Sequence, residues 1–388
     1  MSALRGTTAI CGIGQTPFYK RGTSPFSERK MVLQAIVDAC AEAGVSPSEI
    51  DGFATYSMDR QQGPLLMQEL GTKDLHWSSM VEGGGGGGIP AAIGMAAAAI
   101  ISGQANIVVV YRALSEREFG RFNVAIEVQH ADSHFSAHGI SVPLQFVGFR
   151  SQPMLHSGAV TRDAMEALVL ASYHHAKTNP RAMAFGNTLD SETYRASRMV
   201  VDPYRLYDCS RECDGAAAVI VMSAEEARRR ACKPVYLLGL TQGNHCQGGD
   251  NLDNFSDYAS SGFASVANRL WKQTGLGPKD VDVLEVYTHF STAAVATIME
   301  HGFFTPETID EVMTLENLKV GSGKMPVNTS GSSIAEGFLH GMEVVMEGVR
   351  QIRGDAVNQV NGAEVCLVTG GPASTYTSSM LIGTEATI

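Results

Sequence analysis

The chain has no stripe of basic residues. Its 29 Lys and Arg stand against 40 Asp and Glu, a formal net charge of −11. Nucleic-acid backbones are held by clustered positive charge, so this balance argues against such a partner and leaves only local basic spots for a phosphorylated small molecule. No apolar run reaches the length of a membrane span; Pro90 to Ser102 falls short of the roughly 20 residues needed. The first residues, MSALRGTTAICGIG, contain neither an apolar signal core with a cleavage site nor an Arg-rich amphipathic segment, so the expected compartment is the cytoplasm. The seven cysteines fall at irregular spacings that make no disulfide framework, and Cys11, Cys40 and Cys366 sit in apolar runs as core thiols do. Cys209 and Cys213, in CSREC, have no second pair at finger spacing, which argues against zinc there.

What the chain does have is glycine concentrated in one place. The run MVEGGGGGGIPAAIGMAAAAIISGQ holds six glycines, Gly83 to Gly88. Ordering each of them is entropically costly, so the run is a turn rather than the interior of a helix or strand. Pro90 suits a first helical position, and Ala91 to Ile101 are nearly all small and apolar, which predicts a helix buried on all sides. LHWSSMV before it and NIVVVYRAL after Gly103 read as strands. Such a strand, turn and helix N-terminus aim backbone N–H groups at a point where an anionic oxygen can be held; a plain packing turn is spelled the same way.

With 388 residues, 44% hydrophobic, the chain can bury a large core in two domains or two fused halves. TTAICGIGQ, SERKMVLQAIVDACAEAGV and DGFATYS alternate strand and helix up to the glycine unit, implying a largely parallel sheet covered by helices. From about Asn123 to Arg198 the strand signal fades into helices and loops rich in His, Met and Phe, an insertion over one edge. AAAVIVMSAEEARRR then resumes strand and helix, and a seam at Ala231 to Lys233 divides a half 1–230 from a half 231–388. The second half repeats the first. AGVSPSEIDGFATYS aligns with TGLGPKDVDVLEVYT, matching Gly44 to Gly275, Pro47 to Pro278, Asp51 to Asp282 and Tyr56 to Tyr287 at one offset (287 − 56 = 231). NTSGSSIAEGFLHGMEVVMEGVRQIRG before AEVCLVTGG likewise repeats a glycine turn, an apolar helix and a strand. The pattern is a duplicated α/β fold with two pseudo-equivalent core helices, whose site belongs outside the carboxyl ends of the strands where the halves meet.

This organisation, with GIGQTPF, YRALSEREFGRF, DPYRLYDCSRECDGAAAVIV, EVYTHFST and NTSG in order over nearly the whole chain, resembles the thiolase superfamily and, within it, the thiolase-like lipid-transfer-protein branch. The resemblance implies a five-layer αβαβα fold with a helical and loop insertion in the first half. It also shows what is missing. The nucleophilic cysteine of a thiolase falls on Gly85 or Gly86, the histidine of its GHP motif on Phe338, and its second cysteine in TGGPAST. Covalent acyl transfer has lost its nucleophile, base and acid. The loop usually reading HDCF or HDAF reads Tyr287-Thr288-His289-Phe290, which resembles the steroid side-chain retro-aldolases of this branch. That implies non-covalent cleavage of a β-hydroxyacyl-CoA to a ketone or aldehyde and a shorter acyl-CoA, no cofactor beyond the CoA of the substrate, and a small DUF35 partner with an OB fold on a homodimeric core, two copies of each. Such enzymes are also expected to carry a second tyrosine where this chain has Phe338.

The chemistry needs a base for the hydroxyl proton, donors for the enolate oxygen and an acid for carbon. Tyr287 is the candidate base, a phenol whose pKa near ~10 has to be lowered for that work. His289, two residues on, would tune Tyr287 or hydrogen-bond the substrate; His340, read on the first turn of a helix, would serve as the acid. Asn328, Ser330 and Gly331 in the turn before that helix, with Gly86, Gly370 and Gly371, are the candidate oxyanion and substrate donors. Arg112, Arg117 and Arg121 would meet CoA phosphates or a dimer partner. His130, His134 and His138 recur every four residues, but retro-aldol cleavage through an oxyanion hole requires no metal, and none is assigned. The Met- and Phe-rich insertion, including QFVGFRSQPMLH, suits a bulky apolar acyl group. Two other readings stay open: a catalytically silent acyl-CoA or lipid carrier, and acyl transfer with the nucleophile moved to Cys246.

Overall fold

The computed structural model describes residues 4–56, 59–82, 86, 88–120, 137–230, 232–244, 260–321, 323–371 and 376–388. Its strands are β1 Thr8–Gln15, β2 Tyr19–Lys20, β3 Gly52–Tyr56, β4 Trp77–Val81, β5 Ile107–Leu114, β6 Met199–Val201, β7 Tyr204–Arg205, β8 Cys213–Ser223, β9 Val235–Gly243, β10 Val283–Val286, β11 Val365–Gly370 and β12 Thr377–Gly383. Among the described residues one sheet runs β10-β11-β12-β9-β1-β8-β5-β3-β4, with β2 beside β8. Read outward from the β9/β1 join, the two halves have the same order. β1, β8, β5 and β3 on one side answer to β9, β12, β11 and β10 on the other.

The sheet is mixed where the alternation predicted a largely parallel one. Only β3/β4, β3/β5 and β10/β11 are parallel; β1/β8, β5/β8, β1/β9, β9/β12 and β11/β12 are antiparallel. The reason lies in the connections. A parallel neighbour needs a helical crossover, whereas β12 starts at Thr377, too soon after β11 ends at Gly370 for one, and so returns antiparallel.

Two helices fill the middle. The Gly88–Ile101 helix and the Met342–Arg353 helix lie in one apolar cluster with side chains from both halves of the sheet, from Val108 and Val110 to Cys366 and Val368. The Glu28–Ala43 helix covers the outer face of the first half, and the Ala264–Thr274 helix that of the second. Outer helix, first half of the sheet, the two core helices, second half of the sheet and outer helix make the five-layer order. The described part of the insertion, with helices Pro143–His156, Arg162–Ala176 and Ser191–Ala196, packs through Leu168 and Ala171 on Leu284 and Val286 of the edge strand β10 and on the Ser291–Glu300 helix. Among the described residues no helix is long and apolar enough to cross a membrane.

The repeat has a structural counterpart at every matched position. Gly44 and Gly275 both end a helix in left-handed backbone, with φ of 65° and 70°. Pro47 and Pro278 both open a short 3₁₀ turn. Asp51 accepts from the Asn106 and Ile107 N–H groups at the start of β5, and Asp282 from those of Glu364 and Val365 at the start of β11. Tyr56 and Tyr287 each stand at the carboxyl end of the strand that follows. The first residues close the molecule on itself. Gly6 N–H donates to Leu237 O, Arg5 donates to Thr274 O and Thr387 O, and Gly6 packs on Ile388.

Beneath the second core helix lies a group of buried carboxyls. Thr329 Oγ1 bonds Glu285 Oε1 at 2.7 Å and Glu347 Oε1 at 3.1 Å, Ser330 donates to Glu336, and Arg181 reaches Glu347 at 3.2 Å and Glu336 at 3.8 Å. Burial, and then the neighbouring Glu347 carboxylate, push Glu285 well above the usual carboxyl range and Glu336 to about 7. A carboxyl raised by folding stabilises the fold while protonated, and that contribution is lost as pH climbs through its folded value. Unfolding free energy measured in urea is therefore expected to fall between pH 5 and pH 8, by about 1.4 kcal/mol for each unit of displacement, and Glu336→Gln should flatten the slope.

Candidate active site

The site is built at the carboxyl ends of β3 and β10, where the two core helices begin. Tyr287 continues β10, its N–H donating to Thr369 O at 3.3 Å. Asn328 fixes the turn that follows: its Oδ1 accepts from Val286 N–H at 2.7 Å and its Nδ2 donates to Thr288 Oγ1 at 2.9 Å. The Tyr287 side chain is buried, and the backbone closing over it is glycine. A Cβ on Gly86, whose φ is +79°, would stand 2.3 Å from Tyr287 Cζ and 2.5 Å from its hydroxyl. Gly86 O in turn fits against Gly370 and Gly341, where a Cβ would lie at 2.9 and 3.4 Å.

Five rings form a file across the site. His289 stacks on Tyr287 with centroids 5.3 Å apart and planes at 17°, Tyr287 faces Phe338 at 6.1 Å, Phe338 meets His340 edge-on at 4.6 Å, and His340 meets Tyr56 edge-on at 5.7 Å. Behind the file runs a charged chain. Arg112, buried on β5, bonds Asp59 Oδ2 at 3.0 Å and donates to His340 Nδ1 at 2.8 Å, with its guanidinium 4.8 Å over the Tyr56 ring. Because a guanidinium only donates, His340 Nδ1 is the acceptor and the imidazole proton sits on Nε2.

Burial sets the protonation states. Burial, and then Tyr56 and Glu343 nearby, push the Tyr287 phenol well above its ordinary value, with Arg112 only partly opposing them. Burial and then Arg112 hold His340 well below the usual imidazole range, and burial lowers His289 to about 3. Both imidazoles and the phenol are neutral at physiological pH. Glu343, on the first turn of the second core helix, accepts from Leu339 and Gly341 N–H and from Ser333 Oγ, which pins the loop carrying His340; burial raises it to about 7.

Several sequence expectations are corrected here. Tyr287 is not a lowered phenol, because desolvation exceeds the help from Arg112. His340 is not on a helical turn; it precedes the helix with φ 53°, followed by Gly341 at φ 93°. Asn328 and Ser330 are spent inside the protein, the first on β10 and the second on Glu336, and Gly331 is pressed against Ala176, so this turn scaffolds the site rather than supplying its donors. Gly86 and Gly370 do come together with Tyr287, and Gly371 follows Gly370 with φ 86°. Arg112 is a buried partner of Asp59 and His340 and is withdrawn from any surface phosphate, while Arg117 donates to Ser24 O. His138 is exposed. Arg121, His130, His134, Cys246 and Gly85 lie outside the described residues. The sequence reading gave no role to Tyr56, Asp59 or Glu343; the 231-residue offset that pairs Tyr56 with Tyr287 was the available signal.

Cys213 is tied to the Phe338 backbone, accepting from its N–H at 3.2 Å, and burial pushes its thiol up. Comparison with known proteins points the same way. Over 98% of this chain and 100% of the relative, the sequence is 36% identical to the 17-hydroxy-3-oxo-4-pregnene-20-carboxyl-CoA lyase of Mycobacterium tuberculosis. The chain belongs to the thiolase superfamily, in its lipid-transfer-protein branch of side-chain-cleaving aldolases. It is 33% identical to the steroid side-chain-cleaving aldolase of Thermomonospora curvata over 99% of this chain and 100% of that one. The family model for the thiolase C-terminal domain-like region matches residues 246–383. Among solved structures, the Ltp2-ChsH2(DUF35) aldolase superposes with a TM-score of 0.90 at 31% identity, covering 99% of both chains.

Since Asp59 and Arg112 are both buried, removing one charge strands the other. Arg112→Met is expected to cost about 3–5 kcal/mol in urea unfolding, and the double variant Asp59→Leu/Arg112→Met should recover part of that loss.

Proposed function

We propose that this protein cleaves a β-hydroxyacyl-CoA with a steroid-type side chain by a retro-aldol reaction, giving a ketone or aldehyde and a shorter acyl-CoA such as propionyl-CoA or acetyl-CoA. The observation that carries the reading is the buried, neutral phenol of Tyr287 facing a glycine where a thiolase keeps its sulfur. A neutral phenol suits a relay. Its oxygen accepts the β-hydroxyl proton while the Cα–Cβ bond breaks and the bonding pair moves into the thioester enolate; the phenol's own proton passes to Cα. Substrate proton and protein proton are exchanged, the carbonyl product leaves, and Tyr287 ends as it began. No phenolate has to exist before substrate binds.

The enolate oxygen needs donors already in place. His340, with Nδ1 held by Arg112, directs its Nε2 proton to that task, and the Gly86 turn lies beside it. His289 keeps the Tyr287 ring in plane, and its buried Nδ1, which has no partner among the described residues, is left for a substrate hydroxyl. CoA arrives as part of the substrate, and the steps above call on no resident cofactor. The match to a DUF35-containing aldolase supports a small DUF35 subunit as partner. The proposed assembly is a homodimer of this chain carrying two copies of that subunit, working in the cytoplasm.

Tyr287→Phe should lower kcat by about 1,000-fold or more while CoA-ester binding survives, read by mass spectrometry of products from a panel of hydroxyacyl-CoAs with the partner subunit present. A silent carrier would show no turnover to lose. Because burial raises the phenol above its ordinary value, kcat is expected to stay level from about pH 7.5 to 9.5. A rate that climbs about tenfold per pH unit would require a phenolate base and overturn the relay.

A further inference from the structure

A second phenol in the site has no task in the scheme above. Tyr56 ends β3 as Tyr287 follows β10; it is 0% exposed, and its hydroxyl proton finds no acceptor among the described residues, since the Arg112 guanidinium beside it can only donate. A buried donor left without an acceptor costs stability, and one that faces the ring file of the site can be satisfied by a group that arrives with the substrate. Its surroundings place it on the same turn as Tyr287. A Cβ on Gly88 would fall 2.3 Å from Tyr56 Cβ and 2.4 Å from its Cγ, just as one on Gly86, two residues earlier, would fall on the Tyr287 ring and hydroxyl. Gly86 and Gly88 thus each admit one of the two phenols where the first core helix begins.

The third wall is the charged chain. Arg112, anchored by Asp59 at 3.0 Å, lays its guanidinium 4.8 Å over the Tyr56 ring and holds the His340 ring edge-on to it at 5.7 Å. A permanent positive charge against the ring face strengthens the hydroxyl as a donor without ionising it. Position 338, in the ring file between His340 and Tyr287, is a phenylalanine and has no proton to offer.

We propose, resting on the aldolase reading above, that Tyr56 is a further catalytic residue: its hydroxyl donates a hydrogen bond to the thioester oxygen as that oxygen becomes an enolate, beside the His340 N–H. No bond to oxygen or carbon is made by Tyr56 itself; it stabilises charge, and the proton transfers remain with Tyr287. The duplicated strand ends thus divide the work, one phenol exchanging protons and the other holding the developing anion.

The test compares Tyr56→Phe and Tyr287→Phe in the complete assembly with its small subunit. For Tyr56→Phe, kcat should fall about 100-fold with KM changed less than about threefold, since an enolate donor acts in the transition state. Loss of an unpaired buried hydroxyl should leave the melting temperature unchanged or raised, which a structural role would not do. Native turnover in Tyr56→Phe, or a turnover loss accompanied by a fall in melting temperature, overturns the assignment. If Tyr56→Phe is native-like while Tyr287→Phe is inactive, only this inference fails. If both variants are native-like, the aldolase reading of the site fails with it.

Discussion

Everything at the site follows from the approach of a side-chain-free backbone to a phenol. Gly86 meets the Tyr287 ring and hydroxyl at distances that no Cβ could tolerate, and its carbonyl fits against Gly341 and Gly370 on the opposite side. Three glycines from three separate segments therefore converge where the core helices start. Any side chain there would force the halves apart and open the site to water. Exclusion of water is what keeps Tyr287, His289 and His340 neutral, and neutral donors and acceptors are what cleavage without a covalent intermediate requires.

The charges that the site does contain are arranged behind it. Arg112 sits in the interior with Asp59 as its counter-ion, so its field is felt by Tyr56, His340 and Tyr287 while its net cost is offset locally. Glu343 performs a different service, bonding the backbone of the loop on which Phe338 and His340 are carried. Both residues act by position. Neither is an obvious reagent, and a reading that looks for acids and bases passes over them.

Much of the architecture was legible in the residues. The offset joining Gly44, Pro47, Asp51 and Tyr56 to their counterparts foretold two equivalent halves because each of those residues performs one local task that only a few residue types can perform: a left-handed helix end, a turn start, a strand clamp. Tyr287, His289 and His340, singled out in the sequence, lie in one ring file. What failed were inferences about side-chain direction. Asn328 and Ser330 looked like donors for a ligand, yet the strand end and a buried carboxyl claim them first. Arg112 looked like surface charge because arginine usually is, and nothing local reveals that Asp59, 53 residues earlier, will be folded against it. The sheet's mixed direction was missed for the same reason, since strand pairing is decided by connections that periodicity does not report.

The closing contacts at the seam carry a topological consequence. Arg5 and Gly6 lie against Thr387 and Ile388, so the first and last described segments meet. A short peptide joining them, with new ends cut near residue 231, would present the second half before the first and leave every strand neighbour where it is. For this architecture the reading order of the two halves is a matter of synthesis, and the spatial arrangement of the phenols is indifferent to it.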